Sequence, residues 1–296
     1  MADNTFDKTE IQNILSKLDR VPGVKKPDPI LVADKIVRKF GGLTAVDVNH
    51  VEIQRGAITA LIGPNGAGKS TFFNLLTSFD KADEGKWYFN KDDISNVNPN
   101  KLAQKGMVRT FQLTKALSRL SVLDNARLGA KNQIGESIFA ALFKPLWAKR
   151  ESQVTQQAEE VLARFNLLEK KADFAGSLSG GQRKLLEMAR ALMLNPEIIM
   201  LDEPMAGVNP ALKQSLLGHI KDIRDKGTTV LFVEHDMDMV HDISDWVIVM
   251  AQGKIIAEGP PGEVMKNKSV IDAYLGSHHE SNLTEDGNSL STGNKK

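Results

Sequence analysis

The sequence predicts an α/β protein whose core is a parallel sheet. Three short apolar runs carry that expectation: AITALIG (57–63), EIIMLD (197–202) and TTVLFVEH (228–235). Each is continuous rather than alternating, as in strands buried on both faces of a parallel sheet. Helical text separates them, which favours alternating strands and helices. In such sheets ligands bind beyond the carboxyl ends of the strands. All three runs end on polar residues suited to chemistry, so a functional site is expected there.

Residues 1–29 read as an appendage and linker. Ile11, Ile14, Leu15 and Leu18 recur at i, i+3, i+4 and i+7, the spacing of a short amphipathic helix. VPGVKKPDP follows, with three prolines in nine residues, a linker composition. Two readings stand, a mobile tail and a docking helix. The next text, ILVADKIVRKF and GLTAVDVNHVEIQRG, is strand-like through alternation and β-branched residues.

The first apolar run leads into Gly63-Pro64-Asn65-Gly66-Ala67-Gly68-Lys69-Ser70. This fits G-x-x-x-x-G-K-[ST], the P-loop. Its glycines permit a tight turn that brings backbone N–H groups to phosphate oxygens. The helical text STFFNLLTSF follows and adds the unpaired donors of a helix N-terminus. Lys69 is expected at the β/γ-phosphates, the Ser70 hydroxyl on Mg²⁺, and Thr71 beside them.

Helical text fills 137–170. In SIFAALFKPLWAKR, Phe139, Phe143 and Trp147 stand four apart, and Pro145 is expected to kink or end that helix. The three aromatics read as subdomain core or as an exposed patch facing a partner. Val154, Ala158, Val161, Leu162 and Phe165 form one apolar stripe of the next helix. Leu178-Ser179-Gly180-Gly181-Gln182 then precedes RKLLEMARALMLNP. Ser179, Gly180 and Gly181, with Gln182 after them, open the helix, and the serine and two glycines make a second anion-receptive helix start. One chain thus carries two phosphate-binding surfaces, a puzzle that resolves if two copies pack head to tail.

The second run ends in Asp202-Glu203-Pro204. A strand-terminal Asp is the Walker B pattern, with its carboxylate in the Mg²⁺ shell. Glu203 is then placed to orient or deprotonate the attacking water. The third run ends in Glu234-His235-Asp236, where an imidazole donor reaches a γ-phosphate oxygen. Residues 277–296 are polar and aperiodic and read as a disordered tail, with His278 and His279 solvated.

Composition sets limits. Of 296 residues, 41% are hydrophobic and 25% charged, which excludes collagen-like, coiled-coil and largely disordered chains. Thirty-eight basic and 37 acidic residues leave a formal charge of +1, which argues against a nucleic-acid-coating protein. There is no cysteine, hence no disulfide framework, thiol nucleophile or Cys-based zinc site. No apolar stretch approaches the ~18 residues of a membrane span, and MADNTFDKTE is too acidic for a secretory signal.

GPNGAGKS, LSGGQ, IIMLDEP and EHD in that order resemble the ATP-binding subunits of ABC transporters, over about residues 30–276. The resemblance implies a P-loop NTPase core with a helical subdomain, about 113–186, and an antiparallel β subdomain. It implies ATP and Mg²⁺ as ligands. It places Phe40 on adenine and gives Gln112 of VRTFQ to Mg²⁺ and to coupling with the membrane partner. Asp202 becomes the Mg²⁺ carboxylate, Glu203 the catalytic glutamate and His235 the switch histidine. Each LSGGQ would cover the γ-phosphate held by a second subunit.

FGGLTAVD, VRTFQ, AGVNP, EHDMDMV and VIDAYLG look like the branched-chain amino acid importer ATPases. Asn209 stands where the wider superfamily often has Asp, and Asn is typical of the branched-chain type. The implied partners are membrane permease subunits, a second ATPase subunit (paralogue or self) and, indirectly, a solute-binding protein. The implied place is the cytoplasmic face of the membrane, as a peripheral subunit, with no nucleic acid. The alternatives are a lipid or lipopolysaccharide exporter ATPase, which shares an AG-x-[ND]-P loop, and a soluble ABC ATPase. A single P-loop, no long coiled-coil insertion and near-zero charge disfavour the soluble kind.

Overall fold

A computed structural model describes residues 8–110, 117–131 and 144–275. In chain order its elements begin with α1 (Lys8–Ser16), β1 (Pro29–Phe40), β2 (Leu43–Gln54), β3 (Ile58–Ile62) and α2 (Lys69–Leu76). Next come β4 (Glu84–Phe89), β5 (Asp92–Asp93), α3 (Pro99–Lys105), β6 (Met107–Arg109), α4 (Val122–Arg127) and α5 (Lys144–Arg164). Then follow α6 (Gly180–Leu192), β7 (Ile198–Asp202), α7 (Pro210–Asp225) and β8 (Thr229–Val233). The last are α8 (Met237–Ile243), β9 (Trp246–Ala251), β10 (Lys254–Gly259) and α9 (Pro261–Val264), with residues 268–275 also helical. These elements form two compact units, 97–234 and 9–96 with 235–275.

In the second unit, β1 and β2 form an antiparallel hairpin that turns at Gly41-Gly42, and the sheet runs β2-β1-β4-β5. This is an antiparallel β layer, made where the sequence alternates: Val46 and Val48 are buried and Asp47 between them is exposed. The run 57–63 supplies β3, buried at all five residues. β3 lies parallel to β9, which pairs antiparallel with β10.

In the first unit, β6, β7 and β8 pair in parallel in that order. The runs 197–202 and 228–235 are β7 and β8, with only the terminal Asp202 of β7 reaching partial exposure. Continuous apolar text thus marks doubly buried parallel strands in both units. The stripe on α5 is buried at Val154, Ala158, Val161 and Leu162, and Phe165 just beyond it is buried too.

The mobile-tail reading of 1–29 fails over the described part. Ile11 and Leu15 of α1 are 1% and 2% exposed and Ile14 and Leu18 are partly buried, so the helix is packed through Ile11 and Leu15. The proline-rich stretch is pinned as well. Arg20 pairs with Glu263 at 2.7 Å, and Gly23 and Val24 donate their N–H groups to Glu258 at 2.6 and 3.0 Å. Proline removes donors and stiffens the chain, but the residues between these prolines find partners elsewhere.

The helix expected to carry Phe139, Phe143 and Pro145 lies mostly outside the described residues; within them Pro145 falls at the start of α5. It sits in the first turn, where a missing N–H has no helical partner to lose. Phe139, Phe143, Gln112 and residues 277–296, with His278 and His279, lie outside the described residues, as does the side chain of Trp147. Among the described residues no helix is long and apolar enough to cross a membrane.

α7 carries a half-buried titratable group. The His219 ring lies 4.9 Å from that of Phe165. Burial pushes its pKa below the ordinary imidazole value; Asp222 opposes the shift and Arg164 adds to it. Below about pH 6.5 the unfolded chain therefore takes up a proton that the folded chain resists, and stability falls with pH until the lowered folded pKa is passed. His219→Gln should flatten the dependence of Tm on pH just below 6.5. An unchanged slope in that window would remove His219 as its source.

Candidate functional site

The P-loop begins where β3 ends. Gly63 has φ +151°, and a Cβ there would stand 2.1 Å from the Met250 carbonyl oxygen. Gly68 has φ +97°, and its Cβ would stand 2.3 Å from the Ala45 carbonyl oxygen. Any side chain at either position would collide with backbone, so the loop closes tightly only with glycine. Ala67 is buried beneath it, and its carbonyl accepts the Gly253 N–H at 2.9 Å.

Gly68 is also the N-cap of α2 and supplies no side-chain acceptor. The first-turn N–H groups of α2 thus have no capping side chain, the arrangement that binds phosphate. Lys69 extends its Nζ across the loop to the Gly63 and Pro64 carbonyls at 2.7 and 2.9 Å. Asn65, Gly66 and Ser70 are exposed, and Pro64 and Thr71 partly so. A polyanion fits this cradle: donors line it, a cation crosses it and its rim is accessible.

The first unit holds the two carboxylates. Asp202 ends β7, and its Oδ2 accepts from Arg109 Nη2 at 2.6 Å. Glu203 follows with φ +46°, a left-handed conformation rare for a residue with a side chain. Such backbone costs on the order of 1–3 kcal/mol and persists when its surroundings over-determine it. They do so here. Glu203 donates its N–H to the Val233 carbonyl at 3.0 Å, and Met205 donates to buried Glu234 Oε1 at 2.9 Å. Lys184 Nζ donates to the carbonyls of Pro204, at 3.0 Å, and Ala206. Burial holds the Lys184 pKa below the usual lysine value; Glu234, Glu187 and Glu203 oppose the shift.

The second helix start is built by reciprocal capping. The Ser179 hydroxyl accepts the Gln182 N–H at 3.3 Å, and Gln182 Oε1 accepts the Ser179 N–H at 3.0 Å. Gln182 and Ser179 thus hold the turn together, and Ser179 and Gly180 stay exposed. A Cβ on Gly181 would overlap the Leu212 side chain of α7. That helix is capped by Asn209, whose side chain accepts the Leu212 N–H at 2.9 Å.

A family model for ABC transporters matches residues 46–206, over half of the chain. The chain belongs to the ABC transporter ATPase family. A second model, for branched-chain amino acid ATP-binding cassette transporters, matches residues 254–280 of this cassette. A Methanocaldococcus jannaschii relative, described as a probable branched-chain amino acid transport ATP-binding protein LivG, is 42% identical, over 83% of this chain and 97% of its own. The Pseudomonas aeruginosa high-affinity branched-chain amino acid transport ATP-binding protein BraF is 38% identical, over 84% and 98%. A crystal structure of the ADP conformation of an ATP-binding cassette of an ABC transporter matches with a TM-score of 0.73 at 40% identity, over 84% and 99%. As a member of this family the cassette binds nucleotide and hydrolyses ATP.

Within the cassette, Phe40 is about half exposed and Arg38 lies over its ring at 4.6 Å. Asp80 and Asp83 hold that guanidinium at 2.9 and 3.1 Å, so the aromatic is braced from one side. His235 is exposed, just before Asp236, the N-cap of α8. The donor types assigned to Mg²⁺, a hydroxyl at Ser70 and a carboxylate at Asp202, are the hard oxygens that this ion takes. Asp202 already accepts from a cation, however.

Three supporting residues escaped the sequence reading: Arg109, Lys184 and Tyr274. All three stand there only as letters of longer segments, VRTFQ, RKLLEMARALMLNP and VIDAYLG. The Tyr274 hydroxyl is buried against the Gly63 backbone, and burial pushes the phenol up to about 12, against a smaller opposing effect of Gly63. No one-dimensional spacing marks any of the three. Only the folded contacts give them meaning.

Proposed function

We propose that this cassette energises an importer for branched-chain or chemically related amino acids. The observation that carries this reading is similarity to branched-chain transport ATP-binding proteins over nearly their whole length, together with the branched-chain model at the C-terminal end. The chain works at the cytoplasmic face of the membrane as a peripheral subunit beside permease subunits. The solute reaches those permeases from a solute-binding protein. The ATP-binding domain spans 30–276, with a helical subdomain at about 113–186; the segment 1–29 precedes it, packed on it over residues 9–29, and 277–296 follow.

In this reading Phe40 stacks on adenine, a contact worth on the order of 1 kcal/mol. The loop from Gly63 through Thr71 holds the phosphates through its backbone N–H groups, of which Pro64 has none, and through the Lys69 ammonium. Ser70, Gln112 and Asp202 would hold Mg²⁺, which would offset charge on the phosphate oxygens. Glu203 aligns the attacking water and takes its proton, and His235 donates to the γ-phosphate. Ser179, Gly180, Gly181 and Gln182 of each copy cover the nucleotide of a second ATPase subunit. Closure of that pair on ATP and reopening after hydrolysis supply the stroke.

Purification of the tagged chain from native membranes, with partners identified by mass, tests the reading. The expected partners are two permeases and a second cassette, and deletion of the gene should abolish uptake of radiolabelled leucine. Recovery with lipid-export subunits, or normal uptake of leucine, isoleucine and valine in the deletion strain, would overturn it.

A further inference from the structure

β6 and β7 run parallel, with Arg109 in register with Met200 and Thr110 donating its N–H to the Met200 carbonyl at 2.9 Å. The pairing therefore persists to the carboxyl end of β6, two residues short of the end of β7. It delivers the Arg109 guanidinium to the Asp202 carboxylate, Nη2 to Oδ2 at 2.6 Å. The two side chains are only 9% and 12% exposed. This is a short, charge-assisted contact shielded from solvent. Surface ion pairs of this kind are weak, but screening by water is largely absent here.

We infer that Arg109 is a positioning residue that competes with the divalent cation for Asp202, so that metal entry requires the guanidinium to release or share that carboxylate. The inference rests on the reading of Asp202 as the metal carboxylate. Its physical basis is simple. An oxygen that accepts from a guanidinium at 2.6 Å has committed a lone pair, and a fixed positive charge beside it repels a dication. Arg109 thereby keeps Asp202 neutralised in the metal-free chain and lowers its affinity for metal. A neutral residue at 109 removes the repulsion and leaves the carboxylate in place.

The test is Mn²⁺ binding to the full chain with ADP, followed by electron paramagnetic resonance. Arg109→Gln should tighten Mn²⁺ binding roughly tenfold, since it removes a unit charge within a few ångströms of the metal. Gln can still donate to Asp202, so the variant is expected to fold. Arg109→Lys keeps the charge and should stay near wild type. The stabilisation of Tm by Mn²⁺ and ADP should be larger for Arg109→Gln than for wild type, a second readout independent of turnover. Asp202→Asn separates the two levels. If Asp202→Asn leaves Mn²⁺ binding unchanged, the assignment of Asp202 fails. If it weakens binding while Arg109→Gln fails to tighten it, the competition by Arg109 is overturned and the assignment stands.

Discussion

Glu203→Gln is expected to bind ATP with near-normal affinity and to hydrolyse it roughly 10²–10⁴-fold more slowly, the range for loss of a general base. The substitution changes little else: it removes one of three carboxylates that favour the Lys184 ammonium, and Glu234 and Glu187 stay in place. Gln matches the shape of Glu, and the left-handed backbone at 203 is enforced from outside the side chain. The N–H of Glu203 goes to Val233, and Lys184 ties down the carbonyls of Pro204 and Ala206. A loop fixed in this way keeps its course when the carboxylate becomes an amide. Loss of rate then reports the proton acceptor and not a collapsed loop. Single-turnover hydrolysis checks the rate, and size-exclusion chromatography with ATP checks whether the variant accumulates as a closed pair. Near-normal hydrolysis would remove Glu203 from the role of base.

Lys184→Met makes the opposite kind of change. It keeps the carboxylate and frees the carbonyls that hold the loop. The difference between these variants shows what a sequence can and cannot carry. Glu203 was legible because a continuous apolar run ends one residue before it, and such a run has few physical explanations other than a buried parallel strand. The P-loop was legible because its glycines answer local steric demands at Gly63 and Gly68. Lys184 was not legible. It stands within RKLLEMARALMLNP, where a lysine in helical text reads as a solvated face. Only the return of the 203–206 loop gives it two carbonyls to meet. Arg109 is the same case, since its partner lies 93 residues away. β9 is apolar throughout, yet no chemically suggestive residue closes it, so its text carries no functional signal. Capping by Ser179 and Gln182 is a three-residue spacing present in the text. There these residues read only as an anion-receptive helix start, and the reciprocal cap is what the fold adds.

The proline-rich stretch gives the second large effect. Glu258 is buried on β10 and accepts four hydrogen bonds: from the N–H groups of Gly23 and Val24, from Lys26 Nζ at 2.8 Å and from Trp246 Nε1 at 2.8 Å. Lys26 and Glu258 side chains are 1% and 0% exposed. Lys26 Nζ also lies 4.6 Å from the centre of the Trp246 ring and donates to the Val24 carbonyl, while its backbone N–H goes to Glu52. Burial pulls the Lys26 pKa down, and Glu258 opposes this. Breaking one side of such a pair leaves an uncompensated charge in the interior and costs about 3–5 kcal/mol. Lys26→Met should therefore lower Tm by roughly 6–20 °C, at about 2–4 °C per kcal/mol for a chain of this size. Glu258→Ala should cost more, because it strands three other donors as well as the ammonium. Calorimetry of both variants checks the order. A shift under about 2 °C for Lys26→Met would mean that the segment is only loosely attached, and the mobile-tail reading would return. A large shift makes residues 20–28 part of the fold. Their prolines then restrict the unfolded chain, and the residues between them supply the contacts that hold the segment in place.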